Sequence, residues 1–307
     1  MERNISAASS ESVATTSESK AHATRESEAR FLRVKRLLHN KLAVFGLIVI
    51  TLMILVAIFA PVLAPDSPYK QDLITGKNLG IGAPGHLLGT DNYGRDLLSR
   101  VIYGARISLG VGFSAVAIGL SIGVVLGLIA GYFQWLDGLI MRCMDVLFAF
   151  PGILLALLII AILGTGIGNI IIAISIWAIP TFARIVRGSV LAVKNEEYIT
   201  ALKSEGARAP RIIFKHILPN CMAPIIVNAT MRLGSAILST AALSFIGLGA
   251  QPPSPEWGAM IAEGQSIMWD APQVAVVPGI AIMLVIFSFN VFGDGLRDAL
   301  DPNAKIR

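Results

Sequence analysis

The chain has 307 residues, of which 54% are hydrophobic and 15% are charged, and its mean hydropathy is +0.70. This balance is typical of membrane proteins and argues against an ordinary soluble domain. The net charge of +5 could indicate a nucleic-acid partner, but the distribution of Lys and Arg described below excludes one. The two cysteines and four scattered histidines form neither a disulfide framework nor a zinc site.

The first residues of the chain are polar. Residues 1–29 are rich in Ser, Thr, Ala and Glu and contain almost no large apolar side chain. Such a segment cannot bury enough surface to offset the entropy of ordering, so a disordered cytoplasmic tail is predicted. Residues 30–106 then form an N-terminal unit, which consists of a basic segment, a first transmembrane helix and an outer loop.

Six stretches are apolar enough to cross a bilayer. An α-helix rises about 1.5 Å per residue, so about 20 apolar residues span the hydrocarbon core. The fourth stretch is short unless it continues through Pro180 to about Val186. An all-α integral membrane protein with six transmembrane helices is therefore predicted. The predicted spans are Leu42–Leu63, Ile107–Gly131, Leu139–Leu163, Asn169–Phe182, Met222–Leu248 and Val274–Phe292.

The distribution of basic residues predicts the orientation of these spans. With the N-terminus inside, the cytoplasmic segments hold 18 of the 25 Lys and Arg, and the outer segments hold five. Because Lys and Arg accumulate in cytoplasmic loops, both termini are predicted to be cytoplasmic. The basic character of the chain then reflects membrane topology and requires no nucleic acid. The other two arginines, Arg142 and Arg232, lie within predicted spans.

A stripe of small residues runs along the second predicted span. Four glycines recur every four residues, which is about one helical turn. Small stripes let helix backbones approach closely in a membrane. Packing within the subunit is the favoured interpretation, and a sliding surface for a moving helix is the alternative. The stripe consists of Gly119, Gly123, Gly127 and Gly131.

Three charged residues within the predicted spans are candidate pore-lining or interhelical residues. Arg142 and Asp145 are three residues apart and can pair on one helix face. Arg232 lies deeper and has no obvious partner in its own helix. A charge at the bilayer centre costs about 2.5–3.5 kcal/mol, so it should face protein or water. Arg232 is therefore predicted either to pair across helices, with Asp145 as one candidate, or to line a pore.

The long outer segment, residues 64–106, contains "LLGTDNYGRDLLSRVIYGARISL". Thr90 or Asp91 is predicted to cap a helix that begins near Tyr93. A structural role for this segment and a role in docking or gating at the outer face both remain open.

A charged module separates the fourth and fifth predicted spans. It reads "NEEYITALKSEGARAPRIIFKHILPN" and covers residues 195–220. Asn195 is predicted to cap a first helix, which Gly206 ends. Pro210 suits the start of a second helix, which Pro219 is predicted to end before the next span. Such an elbow could lie on anionic lipid or bind a protein partner.

This module resembles the cytoplasmic loop of ABC importer permeases. The family pattern is Glu-Ala-Ala, three residues, Gly, nine residues, Ile, one residue and Leu-Pro. The Glu, the second Ala and the Ile are replaced here, whereas the Gly and Leu-Pro are present. These positions hold Thr200-Ala201-Leu202, Gly206, His216 and Leu218-Pro219.

Further segments carry the resemblance across residues 30–307. They are similar to the peptide/nickel permease family and occur in that family's order, and the chain is most similar to the second permease subunit of dipeptide or glutathione importers. Besides the outer segment quoted above, they read "GLIAGYF", "MDVLFAFPGILLAL", "ALSFIGLGAQPPSPEWGAM" and "FNVFGDGLRDALDP".

The resemblance implies a type I ABC importer transmembrane domain over residues 107–307, with a coupling loop at 195–220. It implies a multi-pass subunit of a prokaryotic cytoplasmic membrane, surrounded by lipid. The implied protein partners are a homologous permease, two cytoplasmic ATPase subunits and an extracytoplasmic substrate-binding protein. The implied ATPase-coupling residues are Ala201, Leu202, Gly206, Ala207, Pro210, Leu218 and Pro219.

The sequence contains no Gly-x-x-x-x-Gly-Lys-Ser/Thr loop that would cradle phosphates, and no catalytic constellation. A non-catalytic subunit that binds no cofactor is therefore predicted, with ATP and Mg²⁺ held by the partner subunits. The implied substrates are di- and oligopeptides, with glutathione or nickel chelates as alternatives. A stand-alone secondary transporter is a second functional class, although only Arg232 lies deep in a span and no internal repeat is present.

Overall fold

The computed structural model describes residues 34–301. The predicted disordered tail, residues 1–29, lies outside the described residues, as do residues 302–307. Within the described range the regular secondary structure is helical and no β-strand occurs. Its helices are α1 (Lys41–Ile58), α2 (Ala60–Leu63), α3 (Leu97–Tyr132), α4 (Gln134–Phe148), α5 (Gly152–Leu163), α6 (Ile167–Lys194), α7 (Glu197–Ser204), α8 (Ala209–Ile212), a π-turn (Ile213–Ile217), α9 (Leu218–Phe245), α10 (Trp257–Gln265) and α11 (Gln273–Leu300).

Five helical segments in the described range are long and apolar enough to cross a membrane: α1, α3, α6, the continuous stretch from α8 to α9, and α11. A bent pair, α4 and α5, makes a sixth span if both are counted as one. The two helices meet at 89°, so the prediction of one continuous helix over Leu139–Leu163 was wrong. Pro151 explains the break, because it lacks an N–H group and disfavours helical backbone at Phe150.

Two further helix ends bear on the predicted boundaries. The fourth span follows its longer alternative, because α6 continues through Pro180 and past Val186 to Lys194. Pro219 does not end the elbow helix, because the π-turn runs directly into α9. Pro219 lies in the first turn of α9, where a missing N–H costs little.

The start of α3 also differs from the prediction. The helix begins at Leu97 rather than near Tyr93, and Asp96 caps it. The Oδ2 atom of Asp96 accepts hydrogen bonds from the backbone N and Oγ of Ser99, both at 2.7 Å. The residues before Asp96 are therefore loop, and Asp91 is available for the ion network described below.

The helix ends lie on two sides of the bundle. The elbow side carries residues 195–217, which we call the elbow, together with the start of α1 and the end of α11. There, Arg36 Nη1 donates to the carbonyl oxygen of Asp301 at 3.4 Å. The opposite side carries residues 64–96 and 249–272, which we call the cap.

The glycine stripe of α3 packs on α6. A Cβ atom at Gly123 would lie 2.6 Å from Phe182 Cβ, and one at Gly127 would lie 2.6 Å from the carbonyl oxygen of Ala183. The stripe is therefore a contact surface within this chain along most of the length of α6. Cβ atoms at Gly119 and Gly131 would likewise meet Ala178 and Val190.

This contact predicts that enlarging a stripe glycine destabilises the fold. Gly123→Val should lower the free energy of unfolding by about 1–3 kcal/mol, because the added methyl groups overpack the interface. Gly110→Val is the matched control, since Gly110 also lies in α3 and a Cβ atom added there would meet no atom within 4 Å. Thermal unfolding in detergent measures both variants, and equal midpoints would contradict the packing role.

Candidate functional site

The first arm of the elbow is the helix α7, and it is followed by a tight backbone turn at Gly206. The backbone N of Gly206 donates to Lys203 O and that of Ala207 donates to Leu202 O, both at 3.0 Å. Gly206 has a φ of +81°, a left-handed conformation that favours glycine at the end of a helix. The helix ends close to Gly206, as predicted. The residue at its N-terminal boundary is Glu196 rather than Asn195, and the Glu196 side chain makes no capping hydrogen bond.

The second arm of the elbow consists of α8 and the π-turn that follows it, and the sequence did not predict this π-turn. The backbone N of Leu218 donates to the carbonyl oxygen of Ile213, five residues earlier. Asn220 Nδ2 donates to His216 O at 2.7 Å and to Tyr198 Oη at 3.1 Å, so it joins the two arms. Single π-turns inside helices often occur at functional sites.

One face of the elbow is buried against the transmembrane helices. Ile199, Ile212 and Ile217 are each fully buried and share one apolar cluster with Val186 and Val190 of α6. Burying one such side chain stabilises a structure by about 1.5–3 kcal/mol. The elbow is therefore attached to α6 by a packed apolar contact.

The other face of the elbow is exposed. The Phe214 side chain is 65% exposed although it is large and apolar, and no atom lies within 4 Å of the position of a Cβ at Gly206. Exposed apolar residues beside a small, open bend are typical of a surface that binds another protein. Of the implied coupling residues, Ala201, Gly206, Pro210 and Pro219 are exposed, and Leu202, Ala207 and Leu218 are half-buried.

The charged residues of α4 pair with α6. Asp145 Oδ1 accepts from Arg184 Nη2 at 2.6 Å, and Asp137 forms two hydrogen bonds with Arg187 at 2.5 and 2.6 Å. The predicted pairing of Asp145 with Arg142 or Arg232 was therefore wrong. The bend after α4 lets it pack beside α6, so the partner of Asp145 lies across helices. Arg142 is exposed.

Arg232 lies at the centre of α9, 14 residues after Leu218 and 13 before Phe245. Its Nη2 donates to Thr181 Oγ1 of α6 at 2.8 Å, so it has an interhelical partner, although not a carboxylate. Its guanidinium carbon lies 5.6 Å from the centroid of the Trp177 ring. The prediction that Arg232 lines a pore stays a prediction.

A buried ion network holds the cap together. Arg95 donates to Asp91 Oδ2 and to Glu263 Oε2, both at 2.6 Å. Arg100 Nη2 donates to the same Glu263 oxygen at 3.0 Å. Both arginine side chains are almost completely buried, since their exposed fractions are 2% and 0%. Two acids and two bases give no net charge, so the network joins segments more than 160 residues apart without an unbalanced charge.

A second contact joins the cap to α3. Glu256 caps α10 by accepting from the backbone N of Ala259 at 2.9 Å, and it also accepts from Ser108 Oγ at 3.1 Å. Trp257 Nε1 donates to the carbonyl oxygen of Val101 at 3.1 Å. Burial raises the pKa of the Glu256 carboxyl above its usual value, and the hydrogen bonds it accepts oppose that shift.

Sequence reasoning missed the partners of these groups. Glu263 and Arg95 lie in two distant outer segments, and nothing in either segment identifies the other as its partner. Thr181 gave no signal, because a threonine in an apolar helix is common. The available signal was the presence of charged residues inside apolar or buried segments, since such charges require a partner.

Comparison with known proteins places the chain in a family. Residues 123–306 match the binding-protein-dependent transport system inner membrane component family. The chain belongs to this family. Residues 31–80 also match the N-terminal transmembrane domain of oligopeptide transport permease C.

Several members of the family are similar to this one over most of their length. A dipeptide transport system permease protein of Alkalihalophilus pseudofirmus is 52% identical over 272 residues, which cover 88% of this chain and 89% of the relative. Glutathione transport system permease proteins of Pectobacterium atrosepticum and Escherichia coli O157:H7 are 47% and 50% identical, over 88% of this chain and 90% and 89% of theirs.

Solved structures of ABC transporters share the fold. An inward-facing methionine ABC transporter matches with a TM-score of 0.52 at 19% identity, over 65% of this chain and 97% of that chain. An amino acid ABC transporter with histidines matches with a TM-score of 0.51 at 16% identity, over 66% and 95%. The fold of this family member is therefore that of ABC transporter permeases.

The buried ion network of the cap predicts that neutralising Glu263 lowers the stability of the fold by a large amount. Glu263→Gln should destabilise the permease by about 3–5 kcal/mol, because it leaves two buried arginines with one carboxylate. Asp270→Asn is the matched control, since Asp270 lies in the same cap segment and is exposed. The measurements are the unfolding midpoint and limited proteolysis of the cap. A Glu263→Gln variant as stable as the control would contradict the role of the network.

Proposed function

We propose that this chain is a permease subunit of an ATP-driven ABC importer and forms half of the translocation pathway for di- and oligopeptides. The observation that carries the proposal is the 52% identity to a dipeptide permease over 88% of this chain. Glutathione is a second candidate substrate, because glutathione permeases are 47–50% identical over the same share of the chain. Glutathione is itself a tripeptide, so both candidates belong to one chemical class.

In this proposal the subunit spans the cytoplasmic membrane of a prokaryote six times, with the bent pair α4 and α5 as one span. The elbow and both termini face the cytoplasm. The excess of Lys and Arg on that side supports this orientation. The cap then faces outward, where an extracytoplasmic binding protein delivers substrate, and a homologous permease completes the pathway.

The chain itself is non-catalytic in this proposal, and two cytoplasmic ATPase subunits hydrolyse ATP. The elbow is the coupling element, seated in a groove of one ATPase. Its exposed face, with Phe214 and the open bend at Gly206, supports a role in docking. Its buried face supports transmission, because Ile199 and Ile212 are packed with α6 in one apolar cluster. Closure of the ATPases would move the elbow and α6 together and open the pathway outward.

The first test places a large side chain at Gly206, the bend of the elbow. Gly206→Trp should lower uptake about tenfold or more, because a bulky group overpacks the docked interface by about 1–3 kcal/mol. Gly206→Asn is the control, since asparagine tolerates the left-handed conformation and is small. Uptake of a labelled dipeptide and the membrane level of each variant are measured in cells. Normal uptake by the Gly206→Trp variant would contradict coupling through the elbow.

The second test captures the neighbour of the elbow. Cys143 is exposed and Cys221 is buried, so Cys143→Ser gives a background with little thiol reactivity at the surface. In that background Arg211→Cys should crosslink to an ATPase subunit, because Arg211 is on the exposed side of the elbow. Asp270→Cys, in the cap, should not. Failure to capture an ATPase from the elbow, or ion-driven uptake by this chain alone, would overturn the proposal.

A further inference from the structure

Arg232 carries a charge that no acidic side chain among residues 34–301 neutralises. It lies at the midpoint of α9, and Thr181 lies at the corresponding midpoint of α6. At about 1.5 Å per residue, both are about 20 Å from either end of their helices. A cation at the centre of two spans requires an anion or water, because charged groups in membrane spans are retained where they have a partner or a function.

The immediate surroundings of the guanidinium are neutral. Its one hydrogen bond in the described part of the chain goes to the Thr181 hydroxyl, and the Trp177 ring lies beside it at 5.6 Å. Asp145, an acidic residue of the neighbouring α4, is paired with Arg184. A cavity of about 10 Å³ adjoins Arg232 and is lined by Val116, Ile174, Trp177, Ala178, Ser235 and Ala236.

The described part of the chain uses one of the N–H donors of Arg232. A guanidinium has five N–H donors, and the bond to Thr181 uses one of them. The side-chain atoms of the described residues that are buried without a partner do not include any nitrogen of Arg232, and the residue is partly exposed. Thr181 and Trp177 therefore orient the guanidinium, while Nε and Nη1 make no hydrogen bond to the described residues and are not fully buried.

We infer that Arg232 binds the C-terminal carboxylate of the peptide as it crosses the membrane. This inference rests on the proposed function. A guanidinium presents parallel N–H donors that match the two oxygens of a carboxylate, and the match is strongest where water is scarce. Every linear peptide ends in this group whatever its side chains are. Arg232 is thereby a specificity residue that selects for a free C-terminus and leaves the peptide sequence unselected.

The test compares a peptide with its C-terminal amide. The complete complex, with both permeases, the ATPases and the binding protein, is reconstituted in proteoliposomes, and uptake is measured at subsaturating peptide, where the rate reports binding. Arg232→Gln should lower uptake of the free acid by about 10- to 100-fold, the loss of a charged hydrogen-bonded contact. Uptake of the amide should change by less than about threefold, because the amide offers no charge for Arg232 to bind.

Two further variants keep the result interpretable. Arg232→Lys retains the positive charge but not the parallel N–H donors of the guanidinium. It should therefore preserve part of the preference for the free acid even if Arg232→Gln fails to assemble. Arg297→Gln removes an arginine near the end of α11, far from the centre of the spans, and should leave both uptake rates unchanged. ATPase activity stimulated by the binding protein reports whether each variant assembles.

The outcomes separate the inference from the function on which it rests. Equal losses for acid and amide would overturn the inference and assign Arg232 to an ion pair with the partner permease. Unchanged uptake of both peptides would overturn it as well. If the wild-type complex imports neither peptide, the proposed peptide substrate is wrong, and the inference falls with it.

Discussion

The contact between α3 and α6 positions the rest of the structure. Glycines at every fourth residue let the two backbones approach until a Cβ atom would meet the main chain of the other helix. Lipid tails are as apolar as the side chains of the protein, so close packing rather than hydrophobic exclusion holds membrane helices together. The pair forms a continuous rigid element, and both the elbow and the central arginine are attached to it.

Different interactions hold the elbow and the cap: apolar packing holds the elbow, and buried charges hold the cap. The elbow has one buried apolar face, packed on the end of α6, and one exposed face with few large side chains around Gly206. The cap is held by buried charges, with Glu263 shared between Arg95 and Arg100. Apolar packing joins the elbow to the end of α6. A balanced ion network suits a cap that must keep a defined shape above the bundle, since such networks depend strongly on geometry.

Arg232 differs from the buried and paired charges of α4 and the cap. Asp137 and Asp145 are each paired with an arginine of α6. Arg95 of the cap is paired with Asp91, and Arg100 of α3 is paired with Glu263. Arg232 has a hydroxyl and an aromatic ring as neighbours. The charges that are paired within the chain serve to join its elements, whereas the central arginine is oriented by Thr181 and pairs with no acidic side chain of the described residues.

The sequence alone determined the helical class, the apolar spans, the small-residue stripe, the family and the end of the first elbow helix at Gly206. These features depend on local composition and spacing, because hydrocarbon requires each spanning backbone to satisfy its own hydrogen bonds. Pro151 marks a helix break in the sequence, but only the tertiary structure decided its angle of 89° and the partners of Asp145, Glu263 and Arg232. Those partners lie on other helices, and which side chains meet depends on how helices pack, which no local pattern encodes.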